Sequence, residues 1–312
     1  MARHVVMQIE ELDKIAPKRD TLLTVGVFDG IHLGHKYLIA RLIERAKNEN
    51  LLAGVVTFKE HPRQLISPEN RPRLLASLDE RIKLLKDEGV DFVVALSFTP
   101  ELANLTARDF VSLLKKHLRM RGLIIGPDFA LGRNREGNIE RLRRLGEEMG
   151  FTVTAIPPVK LKGETVSSTT IRKALADGDM RKVSSLLGRS FYLQGEVISG
   201  VSRGQKLGFP TANLEVDDLQ AVPQDGVYAT RTRTNGEVYK SVTNIGWRPT
   251  FQGKERTIET HLIDYRGDLY GKELKIDIIE RLRGEKRFKG PEELKKQITE
   301  DIKEARRVLG DS

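Results

Sequence analysis

The chain has 312 residues, of which 53 are Lys or Arg and 44 are Asp or Glu, so its net charge is +9. It contains no cysteine, which excludes disulfide bonds, thiolate metal sites and thiol catalysis. The basic excess suits anionic ligands such as nucleotides or RNA. Because no apolar run reaches membrane-spanning length and no signal-peptide core is recognisable, we expect a cytoplasmic protein without a membrane partner.

The first part of the sequence alternates strand-like and helix-like patterns. Apolar runs predict the strands, and amphipathic periodicity predicts the helices. In chain order they are strand 22–28, helix 36–48, strand 51–58, helix 78–88, strand 92–98, helix 107–118, strand 122–126, helix 138–149 and strand 151–156. Such alternation predicts a Rossmann-like α/β fold with a parallel sheet. Ligands of such sheets bind at the carboxyl ends of the strands.

The segment Val25–His35 begins within the first predicted strand and runs into the next predicted helix. Asp29-Gly30 breaks that strand, and His32 and His35 open the next helix on a shared face. A strand, a tight turn and a helix N-terminus together present backbone N–H groups and a positive dipole end to an anion. Gly34 leaves space for a ligand near the backbone. The segment predicts a nucleotide site, although a lone histidine at this position would be an ordinary capping residue.

Three further segments follow predicted strands or open a helix. Thr57–Arg63 follows the second strand, so it lies at the same sheet edge as the histidines. Gly126–Gly137 combines glycine and arginine, as expected of a loop around a planar or anionic ligand, or of a solvated turn. Val166–Arg172 places hydroxyls before a short helix over 173–176, where they could cap that helix or, with Arg172, bind phosphate.

The pattern changes after residue 187. Strands are predicted over 192–198, 226–232, 238–244, 257–263 and 273–281, with no helix between them, followed by a final helix over 292–308. The segment Thr234–Glu237 contains Asn-Gly and predicts a type I′ hairpin. These elements predict an antiparallel β-barrel closed by a terminal helix, and we place the domain boundary near residue 186.

The loop Gly200–Asn213 joins two of the barrel strands. Its glycines alternate with basic residues, as in a turn around phosphate, but it lacks the Gly-Lys-Ser/Thr step of a Walker A loop. Thr211 and Asn213 lie two residues apart on an extended segment and offer two oxygen ligands for Mg²⁺. The glycines alone would fit an ordinary surface loop equally well.

Taken together, these motifs resemble the prokaryotic bifunctional riboflavin kinase/FAD synthetase family. Gly26–His35 matches the family pattern Gly-x-Phe-Asp-Gly-x-His-x-Gly-His, and Ser167–Arg172 matches Ser-Ser-Thr-x-Ile-Arg. The resemblance implies a nucleotidylyltransferase domain over residues 1–185 that adenylylates FMN to FAD and releases pyrophosphate. It implies that ATP binds Gly26, Phe28, Asp29, Gly30, His32, His35, Ser168, Thr169 and Arg172. Among these, His32, His35 and Arg172 are implied to be catalytic, and the implied flavin-binding residues are Phe58, His61, Pro62, Asp128 and Phe129.

The second half resembles the riboflavin kinase part of the same family. Residues 208–213 read Gly-Phe-Pro-Thr-Ala-Asn, and further matches follow at 244–251, 259–262 and 268–271. The resemblance implies a kinase domain over residues 186–312 that phosphorylates riboflavin to FMN. Its implied ATP-binding residues are Gly204, Lys206, Gly208, Pro210, Thr211 and Asn213, the last two also holding Mg²⁺.

The resemblance also implies a catalytic base in the kinase half. Glu259 at the barrel mouth would take the proton from the ribityl 5′-hydroxyl as that oxygen attacks the γ-phosphate of ATP. Arg281 and Arg283 are implied to bind riboflavin and belong to a basic run after the last predicted strand. That run predicts a mobile rim or an ordinary solvated surface.

We therefore expect a bifunctional enzyme that uses ATP twice, with Mg²⁺, to make FMN from riboflavin and FAD from FMN. Two alternatives remain open from the sequence. In the first, the chain is a flavokinase whose N-terminal domain binds nucleotide without turnover. In the second, which the low aromatic content of 6% disfavours, the basic first half is an RNA-binding module.

Overall fold

A computed structural model describes residues 6–199, 207–250 and 253–310, the side chains of 248–250 and 253–255 excepted. Contacts between Cα positions divide the chain into two compact units, residues 1–167 and 168–312. Each unit has its own sheet or barrel, so each is described by itself. Within the described residues, no helix combines the length and apolar character needed to cross a membrane.

The first unit alternates strands and helices as predicted. Its helices are α1 (Val6–Asp13), α2 (Leu33–Asn48), α3 (Pro62–Ile66), α4 (Leu78–Asp87), α5 (Pro100–Ala103), α6 (Ala107–Leu118) and α7 (Ile139–Met149). Its strands are β1 (Thr21–Val25), β2 (Leu52–Phe58), β3 (Phe92–Leu96), β4 (Met120–Ile125), β5 (Thr152–Ala155), β6 (Lys160–Leu161) and β7 (Glu164–Thr165).

The strands β1 to β5 form a parallel sheet in the order β3-β2-β1-β4-β5. Every residue of β1 is buried, because apolar clusters cover the sheet on both faces. One cluster includes Val111 and Leu114 of α6, and the other includes Ile39 and Leu42 of α2. The predicted parallel sheet is confirmed. Since β1 and β2 are neighbours, the loops after these two strands lie side by side at one edge.

The second unit begins with two helices and continues as a barrel. Its helices are α8 (Ser168–Ala176), α9 (Met180–Leu187) and α10 (Pro291–Leu309). Its strands are β8 (Phe191–Ile198), β9 (Ala212–Val216), β10 (Gly226–Thr234), β11 (Glu237–Thr250), β12 (Gly253–Leu262) and β13 (Glu273–Arg283).

The barrel is closed in the order β10-β11-β12-β9-β8-β13, and its neighbouring strands are antiparallel. The turn between β10 and β11 has positive φ at both Asn235 (51°) and Gly236 (80°), as a type I′ turn requires. The helix α10 covers the wall, where Ala305 and Leu309 pack with Val227 and Val242. The predicted barrel with a terminal helix is confirmed.

The two faces of the barrel wall can be told apart. Val242 packs with residues of α10 and therefore faces outward. Because side chains alternate along a strand, Thr243 beside it faces the interior, where its hydroxyl donates to Thr260 at 3.0 Å. Thr243 also bonds Thr230 at 2.9 Å, and all three threonines are fully buried. The residues next to Thr243 and Thr260 in the sequence, Asn244 of β11 and Glu259 of β12, consequently face outward.

Several elements differ from the sequence-based predictions. Strand β9 falls in a segment that we expected only to be extended, and α8 begins at Ser168 rather than at residue 173. Both α8 and α9 belong to the second unit by contact, and α9 packs against β13 and β8. The division by contact thus lies earlier than the domain boundary expected near residue 186, which stays a prediction.

Candidate active sites

The loop between β1 and α2 has an unusual backbone. Strand β1 ends at Val25, not at Phe28 as predicted, and three of the next residues have positive φ: Phe28 (52°), Gly30 (83°) and Ile31 (41°). Phe and Ile rarely adopt this conformation, so the surrounding packing must hold them there. The Phe28 ring folds back over Gly26, where a Cβ would lie 3.1 Å from the ring. The loop is therefore a rigid support for the histidines that follow.

The two histidines of this loop form one unit. His32 is the N-cap of α2, and its Nδ1 accepts the backbone N–H of His35 at 3.3 Å. Their rings are stacked, with centroids 3.7 Å apart and planes 15° apart. Since the Nδ1 of His32 accepts a hydrogen bond, the proton of the neutral ring is on Nε2. The capping role and the proposed ligand role thus use different atoms of one side chain.

The surroundings of His35 favour an uncharged ring. Burial lowers the pKa of His35 well below 6.5, and the neighbouring His32 lowers it further. The Phe28 ring contacts the His35 ring edge-on, with the ring centroids 5.2 Å apart, and this contact adds to the desolvation of His35. The Nδ1 of His35 is buried and has no hydrogen-bond partner in the described structure. A neutral imidazole can still donate an N–H to phosphate without itself being charged.

Gly34 has a role other than the one expected. A Cβ at this position would lie 3.1 Å from the His32 ring and 3.2 Å from the carbonyl oxygen of Val166. The space is therefore occupied by the protein itself rather than left for a ligand. Val166 is buried and directly precedes the Ser167–Arg172 motif in the sequence. Ser168, Thr169 and Arg172 of that motif lie on α8 in the second unit.

Asp29 is turned into the protein. It is only 3% exposed, and its Oδ1 accepts the backbone N–H groups of Leu75 at 2.8 Å and Ala76 at 3.2 Å. A carboxylate that accepts two buried amides ties the histidine loop to the segment before α4. These contacts give Asp29 a supporting role, and direct contact with ATP stays a prediction.

The predicted flavin-side residues lie after β2 and β4. Phe58 ends β2 and contacts Phe98 edge-on at 5.3 Å. His61 is the N-cap of α3, with Pro62 at the first helical position. Asp128 and Phe129 line an open pocket of about 420 Å³ together with Pro127, Ala130, Arg135, Asn138, Ile139 and Glu140. Both places are at carboxyl ends of strands, as the sheet rule requires.

Sequence reasoning missed Arg81, which is 1% exposed. Its guanidinium donates to the carbonyl oxygens of Val27 at 2.7 Å and of Phe58 and Lys59 at 3.1 Å each. A signal was present, because Arg81 is three residues after Leu78 and four before Leu85 and so shares their face of α4. A charged residue on an apolar helix face predicts a buried partner.

In the second unit, three polar side chains form a row across neighbouring strands. Glu259 of β12 is directly opposite Asn213 of β9 on one side and Asn244 of β11 on the other. Directly paired residues share one face of a sheet, and these three adjoin the inward-facing Thr243 and Thr260. The row therefore lies on the outer face of the barrel wall, not inside the barrel. All three residues are partly exposed.

The loop before β9 can be described only from residue 207 onward. Gly208 is exposed with φ of 88°, and the carbonyl oxygen of Pro210 accepts from His261 Nδ1 at 2.8 Å. Thr211, half-buried, precedes β9 and lies two residues before Asn213. The predicted ATP-binding residues Gly204 and Lys206 fall outside the described residues.

Arg281 and Arg283 lie at the end of the last barrel strand. Strand β13 extends to Arg283, and Arg281 donates to the carbonyl oxygen of Asp225 at 2.6 Å. Arg283 forms a bidentate pair with Asp301 of α10, with the shortest bond 2.7 Å long. Both side chains are thus hydrogen-bonded within the second unit, and the expectation of a mobile basic rim stays a prediction. A role of either in binding riboflavin stays a prediction.

The first unit thus carries two histidines at a helix start beside a parallel sheet, and the second carries a carboxylate between two amides on a barrel. A family model for FAD synthetase matches residues 14–170, and one for riboflavin kinase matches residues 187–309. The chain is 39% identical to the bifunctional riboflavin kinase/FMN adenylyltransferase of Escherichia coli (strain K12) over 95% of both chains. It is 38% identical to the protein of that description from Pseudomonas fluorescens, over 97% of this chain and 98% of that one.

The chain therefore belongs to the family of bifunctional riboflavin kinases/FMN adenylyltransferases. A solved structure from Streptococcus pneumoniae, described as a macrolide-efflux protein, has the same fold, with a TM-score of 0.87 and 30% identity over 95% of this chain and 96% of that one. The prediction of a bifunctional enzyme is confirmed, and the matches favour it over the single-activity and RNA-binding alternatives.

Proposed function

We propose that the His32–His35 pair holds the triphosphate of ATP while an oxygen of the FMN phosphate attacks the α-phosphorus. The bond from that phosphorus to the pyrophosphate oxygen breaks, and pyrophosphate leaves with the electron pair. What supports the proposal is the stacked pair itself, with the buried, unpartnered Nδ1 of His35. Phosphate binding by Ser168, Thr169 and Arg172 of α8 stays a prediction from the family pattern.

The adenylyl transfer needs no general base, because the FMN phosphate is already an anionic nucleophile. The protein then contributes by aligning the two substrates and by stabilising the charge on the departing pyrophosphate. The lowered pKa of His35 fits a neutral N–H donor that keeps the same form across the physiological pH range. Phe58, His61, Pro62, Asp128 and Phe129 are proposed to line the flavin side.

In the second unit we assign the general base to Glu259. As the ribityl 5′-hydroxyl oxygen of riboflavin attacks the γ-phosphorus of ATP, its proton passes to the Glu259 carboxylate and ADP leaves. The supporting observation is the row in which Glu259 lies between Asn213 and Asn244. Two amides beside the carboxylate can orient it and can also bind the substrates.

Mg²⁺ is proposed as a cofactor, and the residues present fit it. Asn213 supplies an amide oxygen directly opposite Glu259, and Thr211, two residues earlier in the chain, supplies a hydroxyl. Mg²⁺ prefers such oxygen ligands together with water and phosphate. Among the described residues no cluster of three or more His, Cys, Asp or Glu side chains is present, which fits a metal that arrives with ATP. When bound, Mg²⁺ would neutralise charge that develops on the phosphates.

The test supplies EDTA-treated protein with ATP and either riboflavin or FMN, with and without added MgCl₂. We expect riboflavin to give FMN and ADP, and FMN to give FAD and pyrophosphate, each only after Mg²⁺ is added. For Asn213→Ala the kinase reaction should need more Mg²⁺, while FAD formation, the internal control, keeps its metal dependence. Reactions that proceed fully in EDTA, or an equal change in both metal dependences, would refute the metal assignment. We also propose that the protein is located in the cytoplasm, where MgATP is abundant.

A further inference from the structure

A buried cation joins the two loops proposed to carry the substrates of adenylyl transfer. Arg81 donates from Nη1 to the carbonyl oxygen of Val27, in the loop that leads to His32. It donates from Nη2 to the carbonyl oxygens of Phe58 and Lys59, in the loop that leads to His61. One planar guanidinium therefore binds carbonyl oxygens at the carboxyl ends of two neighbouring parallel strands.

Thr57 and Asp29 add further hydrogen bonds to the connection that Arg81 makes between the two loops. Thr57 Oγ1 donates to the same Val27 carbonyl at 3.1 Å and also lies 3.4 Å from Arg81 Nη1. Asp29 holds the amides of Leu75 and Ala76, just before the helix that carries Arg81. Each loop is thus bound to α4 or to the segment that precedes it. We call Asp29, Thr57 and Arg81 the brace.

The chemistry of Arg81 is unusual for a purely structural residue. Burial lowers its pKa, while the charges of Asp29 and Glu60 raise it. An arginine at 1% exposure is rare, because an apolar residue of similar volume would fill the same space without a buried charge. Its hydrogen bonds instead fix the distance between two loops whose ligands must react with each other. A displacement of the reactants by about 1 Å from their productive positions can lower the rate about 100-fold.

We propose that Arg81 is a positioning residue for adenylyl transfer, which sets the ATP-side loop relative to the flavin-side loop. The inference rests on the residue roles proposed above for the first unit. It predicts a specific kinetic signature. Each substrate is bound by its own loop, so removal of Arg81 should leave the KM of each largely unchanged. The loss should fall on kcat, because the alignment of the bound substrates is disturbed.

The test compares Arg81→Met with Arg81→Lys in FAD formation from FMN and MgATP. Methionine keeps much of the volume and removes every donor, and we expect kcat to fall about 100-fold. Lysine keeps the charge and several donors and should restore most of kcat. The matched control is Arg45→Met, which removes bonds from α2 to Thr152 and Thr154 of β5, away from both loops, and it should keep the wild-type kcat.

The outcomes are distinct. Wild-type protein that makes no FAD from FMN would refute the proposed roles in the first unit, whatever Arg81 does. With active wild type, a folded Arg81→Met protein with normal kcat would refute the brace. So would a loss confined to the KM of one substrate, or an Arg81→Lys protein as poor as Arg81→Met. Thermal melting and hydrogen exchange of β1 and β2 peptides establish folding. If Arg81→Met unfolds, the folded Arg81→Lys protein should still show a reduced kcat at unchanged KM, and a kcat equal to that of Arg45→Met would refute the brace.

Discussion

The ring of His32 lies parallel to that of His35 at a distance of 3.7 Å, and its Nδ1 accepts the His35 backbone amide. Burial and the neighbouring His32 lower the pKa of His35 well below 6.5, so His35 is neutral in the physiological pH range. Both rings sit at a helix N-terminus, where the backbone already favours an anion. The structure thus combines a neutral side-chain donor, His35, with a polar backbone end.

The first prediction concerns His35→Ala. Removing one donor to a developing negative charge lowers kcat by about 100- to 1,000-fold in comparable sites, so FAD formation from FMN should fall by this order. Riboflavin phosphorylation by the same protein should continue unchanged. Both rates are measured by chromatographic separation of riboflavin, FMN and FAD. The matched control is His117→Ala, a histidine of α6 that bonds Asp13 instead, and loss of both reactions in folded His35→Ala would contradict the assignment.

The second prediction concerns pH. The pKa of His35 is well below 6.5 in the folded protein and about 6.5 in the unfolded chain. Below that pH the unfolded chain binds a proton that the folded protein excludes. As the pH is lowered, the free energy of unfolding therefore falls, through this group, by at most about 1.4 kcal/mol per pH unit. Above about pH 6.5 its contribution is fully present.

The matching measurement uses His35→Gln, which stays neutral at every pH. Its free energy of unfolding should depend less on pH below about 6.5 than that of the wild type. Hydrogen exchange of β1 and α2 peptides in urea reports the first unit, because Trp247, the single tryptophan, belongs to the barrel. Parallel pH profiles of the two proteins would mean that His35 titrates normally when folded.

The third prediction concerns Glu259→Gln. Loss of the base should lower the rate of riboflavin phosphorylation by about 100- to 10,000-fold, while FAD formation from added FMN continues. Glu215→Gln changes a carboxylate of β9 that is exposed and outside the row, so it should leave both rates as they are. Equal activity of the Glu259→Gln and Glu215→Gln proteins would show that Glu259 is not the base.

The fourth prediction concerns Asp29→Ala. It leaves the buried amides of Leu75 and Ala76 without their acceptor, and an unsatisfied buried donor costs about 1–3 kcal/mol. We expect the first unit to lose about 2–4 kcal/mol of unfolding free energy, measured by the same hydrogen exchange. Asp29→Asn keeps one carbonyl acceptor and should lose less. No loss with Asp29→Ala would show that these amides find other partners.

Much of the fold could be predicted from the sequence, because local patterns determine it. The predicted helix over 107–118 coincides with α6, where apolar residues recur at helical spacing between Thr106 as N-cap and the left-handed Arg119. The Asn-Gly pair fixed the β10–β11 hairpin for the same reason. In each case the deciding interactions lie within a few residues of one another.

Other features depend on contacts between distant parts of the chain. Positive φ at Phe28 and Ile31 has no local signal, since these residue types avoid it and only packing imposes it. The role of Arg81 depends on carbonyls 54 and 23 residues away along the chain. The outward position of Glu259 follows from which residues of β11 pack against α10. Alternation alone cannot say which face is inside.

The most direct test of two separate sites is a time course of products from riboflavin and MgATP, analysed by mass for wild type, His35→Ala and Glu259→Gln. We predict that wild type forms FMN with ADP and then FAD with pyrophosphate. His35→Ala should stop at FMN, and Glu259→Gln should leave riboflavin unchanged yet convert added FMN to FAD. If either variant, correctly folded, lost both reactions or kept both, the two-site account would be contradicted.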